Sequence, residues 1–393
     1  MLATSDIRDV GGGSYGDPMT VRPFVIDVPQ PVLDDLRDRL ARTRFLDDSP
    51  RRPTSGMTST YLRELVASWQ SFDWRAREAW LNQHPQLLAD VDGVTLHVVH
   101  RRSADADAPA LLVMHGWPHT FALQLAFADL LTDFHVVVLS LPGFAFSPPL
   151  DESPTEQRLA ELAHTLMTDV LGYSRYLTYG EDISANVSDL VAATHPEAVA
   201  GVVVTHAHFL TQDEREATTD PDERAFYDRM AAGWYEQAAY AHVQGTRPDT
   251  LAAALNDSPA GLLAWLTEKL VEWSDTPAGD PAAVERRISR DQILTEATLY
   301  WVTQSIGHSF QTYVDGGDAT IPPVDVPAAV FVQRHEHDNP ESVARRFYRD
   351  LRVFERLEEG GHFTVAEVPE AMAERVRTFA AAVGSGRPRS LER

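Results

Sequence analysis

The feature that most constrains this chain is a rhythm of short apolar runs. ALLVM at 110–114, HVVVL at 135–139, YLTY at 176–179 and GVVVT at 201–205 are separated by stretches of helical periodicity. Within one such stretch, 156–170, Leu159, Leu162, Ala163, Leu166 and Val170 share a face. Runs apolar at every position belong to strands covered on both sides, and strands alternating with helices build βαβ units around a parallel sheet. VTLHVVH at 94–100 is a further strand candidate. Strand character returns at AAVFVQ, 328–333, and RVFER, 352–356, before a final helix expected over 366–382. Between 206 and 310 the pattern is almost wholly helical, with candidates at 222–243 and 259–273. The second opens on Asp257-Ser258-Pro259, an N-cap followed by proline in the first turn. The expectation is therefore an α/β sheet interrupted by a helical insertion.

Ahead of the sheet, Leu33, Leu36 and Leu40 fall at helical spacing, and 60–71 and 76–82 also read as helices. The stretch 45–59 reads as an extended loop, so 20–90 is expected to be a small helical layer. No internal repeat is visible.

Composition narrows the function. With 44% hydrophobic and 23% charged residues the chain can bury a core, which excludes disordered and fibrous classes. Asp plus Glu outnumber Lys plus Arg by 58 to 34, a net charge of −24. So acidic a surface repels phosphate backbones and anionic lipid, which argues against nucleic-acid and membrane partners. The absence of cysteine removes disulfides, thiolate zinc sites and Cys nucleophiles together. No run reaches the roughly 18 apolar residues of a membrane span. Met1–Asp17 lacks a basic-then-apolar signal pattern and reads as a disordered lead-in, and Gly384–Arg393 as a frayed tail. The expected location is the cytoplasm.

Three motifs carry chemistry. Tyr179-Gly180-Glu181-Asp182-Ile183-Ser184-Ala185 lies between a strand and a helix, with small residues at 180, 184 and 185 around Asp182. That is the pattern of a nucleophile elbow, a turn too sharp for bulky neighbours. The usual serine is an aspartate here, and a carboxylate nucleophile suits attack on saturated carbon bearing oxygen or halogen. His115-Gly116-Trp117-Pro118 follows strand 110–114, where α/β-hydrolases take an oxyanion-hole N–H. The donors would be the backbones of Trp117 and Ile183. Gly360-Gly361-His362-Phe363 follows the last strand and places His362 third in the order nucleophile, acid, histidine.

With these pieces the chain resembles the microsomal-type epoxide hydrolases of the α/β-hydrolase superfamily, from about 22 to 382. RPFVIDVP, DDLRDRLARTRF, FDWRAREAWLNQHPQ and VDGVTLHVVH look like that branch's leader. TRPDTLAAALNDSPAGLLAWLTEKLVEWSD and EGGHFTVAEVPE match its cap and its ending. The resemblance implies a lead-in at 1–20, an N-terminal helical meander at 21–92 and a hydrolase core at 93–205. A helical cap at 206–310, the second part of the core at 311–383 and a flexible tail at 384–393 complete it. It implies two cap tyrosines that hold the epoxide oxygen and donate a proton: Tyr240 in AYAHVQGTRP and Tyr313 at the end of YWVTQSIGHSFQTY.

The chain also departs from the family. The usual G-D-W-G is E-D-I-S, so Ile183 stands where a large residue is common. The family's triad acid, by direct register, falls on Arg334, which cannot serve. Glu336, 26 residues before His362, takes the role after a two-residue shift, with Asp338 in reserve. His335-Glu336-His337-Asp338 has metal-ligand residue types, but no other ligand set converges on it, so neither metal nor cofactor is expected.

The implied reaction opens a small-molecule epoxide to a vicinal diol. Asp182 forms an ester, and water activated by His362 hydrolyses it. Alternatives are a haloalkane dehalogenase-like hydrolase, disfavoured by Ile183, and a non-catalytic homologue. Ala-, Arg- and Asp-rich usage hints at a GC-rich bacterial genome and a place in secondary metabolism. The sequence admits a homodimer without requiring one.

Overall fold

A computed structural model describes residues 20–48, 56–206, 212–315 and 321–384. The expected lead-in and tail, apart from Thr20 and Gly384, and the middle of the 45–59 loop lie outside the described residues. Among the described residues, nine strands form one sheet: β1 Val21–Phe24, β2 Gln86–Val91, β3 Val94–Arg101, β4 Ala110–Met114, β5 His135–Leu139, β6 Tyr176–Gly180, β7 Val199–Val204, β8 Val324–Val332 and β9 Tyr348–Arg356. Their order is β1-β2-β3-β5-β4-β6-β7-β8-β9. Pairings from β1 through β5 are antiparallel. The rest are parallel. Every residue of β4, β5 and β6 is buried, which is why these runs show no alternation.

The leading segment is not purely helical, and here the expectation is corrected. Its helices Gln30–Ala41, Ser59–Gln70 and Trp74–Leu81 are present, but β1 and β2 extend the sheet by two strands. β2 and β3 form a hairpin closed at Val91↔Val94 by Asp92 and Gly93, both at positive φ. Asp-Gly between apolar residues is a strong short-range hairpin signal.

Between β7 and β8 the chain leaves the sheet for a layer of helices. The expected helix 222–243 is broken at Ala238 into Pro221–Gln237 and Ala239–Thr246. No proline or glycine marks the break. Pro259–Trp273 follows its Ser258 N-cap as expected, the serine hydroxyl accepting from Gly261 N–H at 3.1 Å. The helical layer runs on past the expected boundary at 310, because Gln311–Asp315 packs against Ala239–Thr246. The leading helices brace this layer: Trp69 Nε1 donates to Thr298 Oγ1 at 2.8 Å, Tyr61 OH to Glu285 at 2.9 Å, and Arg77 to Thr295 at 2.8 Å. The expected last helix is divided, Thr364–Glu367 then Pro369–Gly384, since Pro369 has no N–H and opens a new helix. Among the described residues no helix is long and apolar enough to cross a membrane.

Candidate active site

β6 ends at Gly180 and the helix Ile183–Thr194 begins three residues later, with Asp182 at φ 57° and ψ −140°. L-residues rarely adopt that conformation, and it persists only where the surroundings over-determine it. Two glycines make room for it here. A Cβ on Gly180 would stand 2.1 Å from Ser184 O, and one on Gly116 would stand 2.2 Å from Asp182 Oδ1. Ser184 Oγ ties the turn to the end of β4 by donating to Met114 O at 2.8 Å. Trp117 N–H donates to Asp182 Oδ1 at 3.1 Å, and Ile183 N–H also bonds this carboxylate. The two expected oxyanion donors therefore converge on the Asp182 carboxylate.

His362 arrives from the loop after β9. Its Nδ1 donates to Glu336 Oε1 at 2.7 Å. Its Nε2 lies 3.2 Å from Asp182 Oδ2, close but off the line of a hydrogen bond, so this nitrogen has no aligned partner. His335 N–H donates to Gly360 O at 3.2 Å, and the resulting bridge between 335 and 361 brings Glu336 beside the imidazole. Arg334 instead points outward, toward Glu358 O at 3.2 Å, and Asp338 pairs with Arg356 at 2.5 Å on the surface. Among the described residues no group of three or more metal-ligating side chains occurs.

Charge follows from this sandwich. Burial alone would push both carboxyls up, but the His362 imidazole and the N–H donors bring Asp182 down to about 2. Glu336 is likewise lowered, its burial outweighed by His362, His337 and His206. Burial opposes the imidazolium too, yet Glu336 and Asp182 on either side raise His362 well above the ordinary range.

Tyr240 and Tyr313 come from the helical layer and meet over the elbow. Tyr240 stacks on Trp117 at 5.2 Å and 12°, and Tyr313 stands edge-on to Tyr240 at 5.7 Å. Trp273 contacts Tyr240 at 5.0 Å and His362 at 4.8 Å. Burial first, then the field of Asp182, holds Tyr240 protonated; burial and the fields of Tyr240 and Asp182 do the same for Tyr313. All seven residues singled out in the sequence thus gather in one site.

Sequence reasoning missed the polar frame around them. His119 Nε2 lies 2.9 Å from Glu181 Oε1, while Glu181 Oε2 accepts from Tyr179 OH at 2.8 Å. Gly116 N–H donates to the same His119 nitrogen at 3.3 Å. This buried chain joins the Trp117 loop to the elbow. The presence of Glu181 where the family has glycine was the available signal. Glu367 was missed altogether; its carboxylate accepts from Gly361 N–H at 3.1 Å and Phe363 N–H at 3.2 Å, on either side of His362.

A mainly parallel sheet with an acid at its elbow and a histidine loop after its last strand defines an α/β-hydrolase. The model of the "alpha/beta hydrolase fold" matches residues 109–365, and that of the "Epoxide hydrolase N terminus" matches 21–123. A Stigmatella aurantiaca protein, provisionally assigned as an epoxide hydrolase, is 34% identical over 91% of this chain and 84% of its own. Epoxide hydrolase 1 of Sus scrofa is 29% identical over 92% and 88%. The juvenile hormone epoxide hydrolase structure from Bombyx mori superposes with a TM-score of 0.84 at 25% identity, covering 93% of this chain and 95% of that one. The Aspergillus niger epoxide hydrolase structure gives 0.80 at 28% identity, covering 93% and 97%. The chain belongs to the epoxide hydrolase family of the α/β-hydrolase fold.

Proposed function

We propose that the protein hydrolyses a small-molecule epoxide to a vicinal diol through an ester on Asp182. The observation that carries this is the alignment of an ionised Asp182, His362 and Glu336 beneath two neutral phenols. Asp182 attacks an oxirane carbon, and the C–O bond breaks. The developing alkoxide takes a proton from Tyr240 or Tyr313, which act as general acids. In the second step His362 takes a proton from water, whose oxygen attacks the ester carbonyl. Negative charge then gathers on the oxygen facing the N–H groups of Trp117 and Ile183. Glu336 fixes the imidazole tautomer and stabilises its cationic form. The chemistry needs no metal or cofactor.

Hydrolysis of styrene oxide with detection of phenylethanediol tests the activity. A single turnover in heavy-oxygen water tests the route, since the label must enter Asp182 and stay out of the first diol. Label in that diol would exclude the ester. The dehalogenase alternative has one feature in its favour, the buried and unpartnered Trp117 Nε1. Ile183 supplies no second side-chain donor for a halide. Halide release from a haloalkane without diol formation from styrene oxide would reverse the preference.

A further inference from the structure

The four consecutive backbone N–H groups around the histidine are all held, and none by regular secondary structure. Gly360 N–H donates to Asp275 Oδ2 at 3.1 Å, and His362 N–H to Trp273 O at 2.9 Å. Gly361 N–H and Phe363 N–H go to the two oxygens of Glu367. Glu367 Oε2 also accepts from Asp275 N–H at 2.8 Å. Trp273 and Asp275 belong to the inserted helical layer, at the end of Pro259–Trp273. The histidine loop thus hangs partly on the layer that carries Tyr240. The approach is backbone to backbone, because a Cβ on Gly361 would stand 2.3 Å from Trp273 O.

Both carboxylates are buried or nearly so, and both have counter-charge. Arg287 reaches Asp275 at 3.4 Å, with Arg334 at 3.9 Å. Burial pushes Glu367 up to about 7, with its three backbone donors and Arg287 pulling the other way. A carboxylate that remains buried among three N–H groups restrains their geometry, since each bond lost would leave a buried donor unpaired.

We propose that Asp275 and Glu367 are positioning residues that couple the seating of the helical layer to the placement of His362. The inference rests on the two-step mechanism above. Ester formation uses Asp182 and the phenols. Ester hydrolysis needs the imidazole at the right distance from a water and the ester carbonyl. Loosening the clamp therefore slows the second step selectively.

The test is single-turnover kinetics with styrene oxide on the full chain, following the ester by intact mass. Asp275→Ala and Glu367→Ala should form ester within about twofold of the wild-type rate. They should hydrolyse it roughly thirtyfold more slowly, within the hundredfold that an ångström-scale misplacement costs. Asp275→Asn keeps an acceptor oxygen and should recover most of the rate. The double Ala variant should be little slower than the worse single one, because both residues serve one loop. His362→Gln is the internal control. If it traps no ester, the two-step mechanism itself is wrong. If it traps ester while both Ala variants hydrolyse at the wild-type rate, the clamp is refuted. Equal slowing of both steps would reduce it to general structural support, which also refutes it. Should Glu367→Ala fail to fold, Asp275→Ala and its Asn partner decide alone.

Discussion

The two halves of the proposed catalytic pair are held by different parts of the fold. Asp182 sits between the ends of β4 and β6, whose residues are all buried, at a positive φ in a turn where neither Gly116 nor Gly180 has room for a Cβ. His362 follows β9, an edge strand that is mostly half-buried or exposed, and is held by hydrogen bonds to side chains and to the inserted layer. The proposed nucleophile lies in a turn so closely packed that it admits no added atom, and it rests on the N–H donors of Trp117 and Ile183. The proposed base hangs on a loop whose own N–H groups are tied to other segments, bonds that can be removed one at a time. Under the proposed mechanism, the group needed in the first step is built into the sheet, and the group needed in the second hangs from an edge strand and the helical layer.

The sharpest way to break this contrast is at the nucleophile. Asp182→Asn should lower turnover by about 10⁴-fold or more, as losing a triad member does elsewhere, because an amide is a poor nucleophile. Full diol production, with mass spectrometry showing Asn still in place, would remove Asp182 from the chemistry.

On the histidine side the comparison is between neighbouring acids. Glu336→Gln should cost about a hundredfold, or about 2.7 kcal/mol, and accumulate ester. Asp338→Asn should change turnover little, since Asp338 only pairs with Arg356 at the surface. The opposite ranking in steady-state assays would move the acid by two residues.

The close packing of the elbow can be probed through stability. Gly180→Ala forces a methyl group against Ser184 O and should cost about 1–3 kcal/mol, as overpacking does, read as a lower urea midpoint. An unchanged midpoint would mean the elbow is softer than its geometry indicates.

A last comparison separates the aspartate that precedes a helix from one inside it. Asp182 is lowered to about 2, whereas burial raises Asp189 to about 8 although Tyr348 OH donates to both of its oxygens. Because folding raises the affinity of Asp189 for its proton, its contribution to stability is full below about pH 4. It fades as pH climbs through about 8. Asp189→Asn should flatten the fall in urea midpoint between pH 5 and pH 9. Parallel profiles for variant and parent would contradict this.

What could be read from the chain follows the same division. The runs at 110–114 and 176–179 were visible because burial on both faces writes itself into residue type. The elbow was visible because its sterics demand small residues at fixed spacing. β1 escaped because VRPF is largely exposed and shows no apolar pattern, and β2 escaped although Asp92-Gly93 announced the hairpin. Asp275 and Glu367 escaped for a deeper reason. They act on backbone N–H groups, which every residue but proline has, so nothing in the loop's own composition calls for them. The proposed triad acid, Glu336, needed a two-residue shift because its position beside His362 depends on the bridge between His335 and Gly361, a contact between distant segments.

The imidazole between two carboxylates also sets the order of events. While Asp182 is ionised, His362 is flanked by negative charge on both sides and keeps its proton, so it cannot pull one from water. Under the proposed mechanism, esterification erases one of those charges. The proton is then held less tightly and can return to the phenol that gave its own to the alkoxide. The ring that results is neutral, with Nε2 open as a base. Hydrolysis restores the Asp182 carboxylate and returns a proton to the ring. The site thus keeps its own clock, in which the arrival of the substrate's carbon on Asp182 is the signal that turns His362 from acid to base.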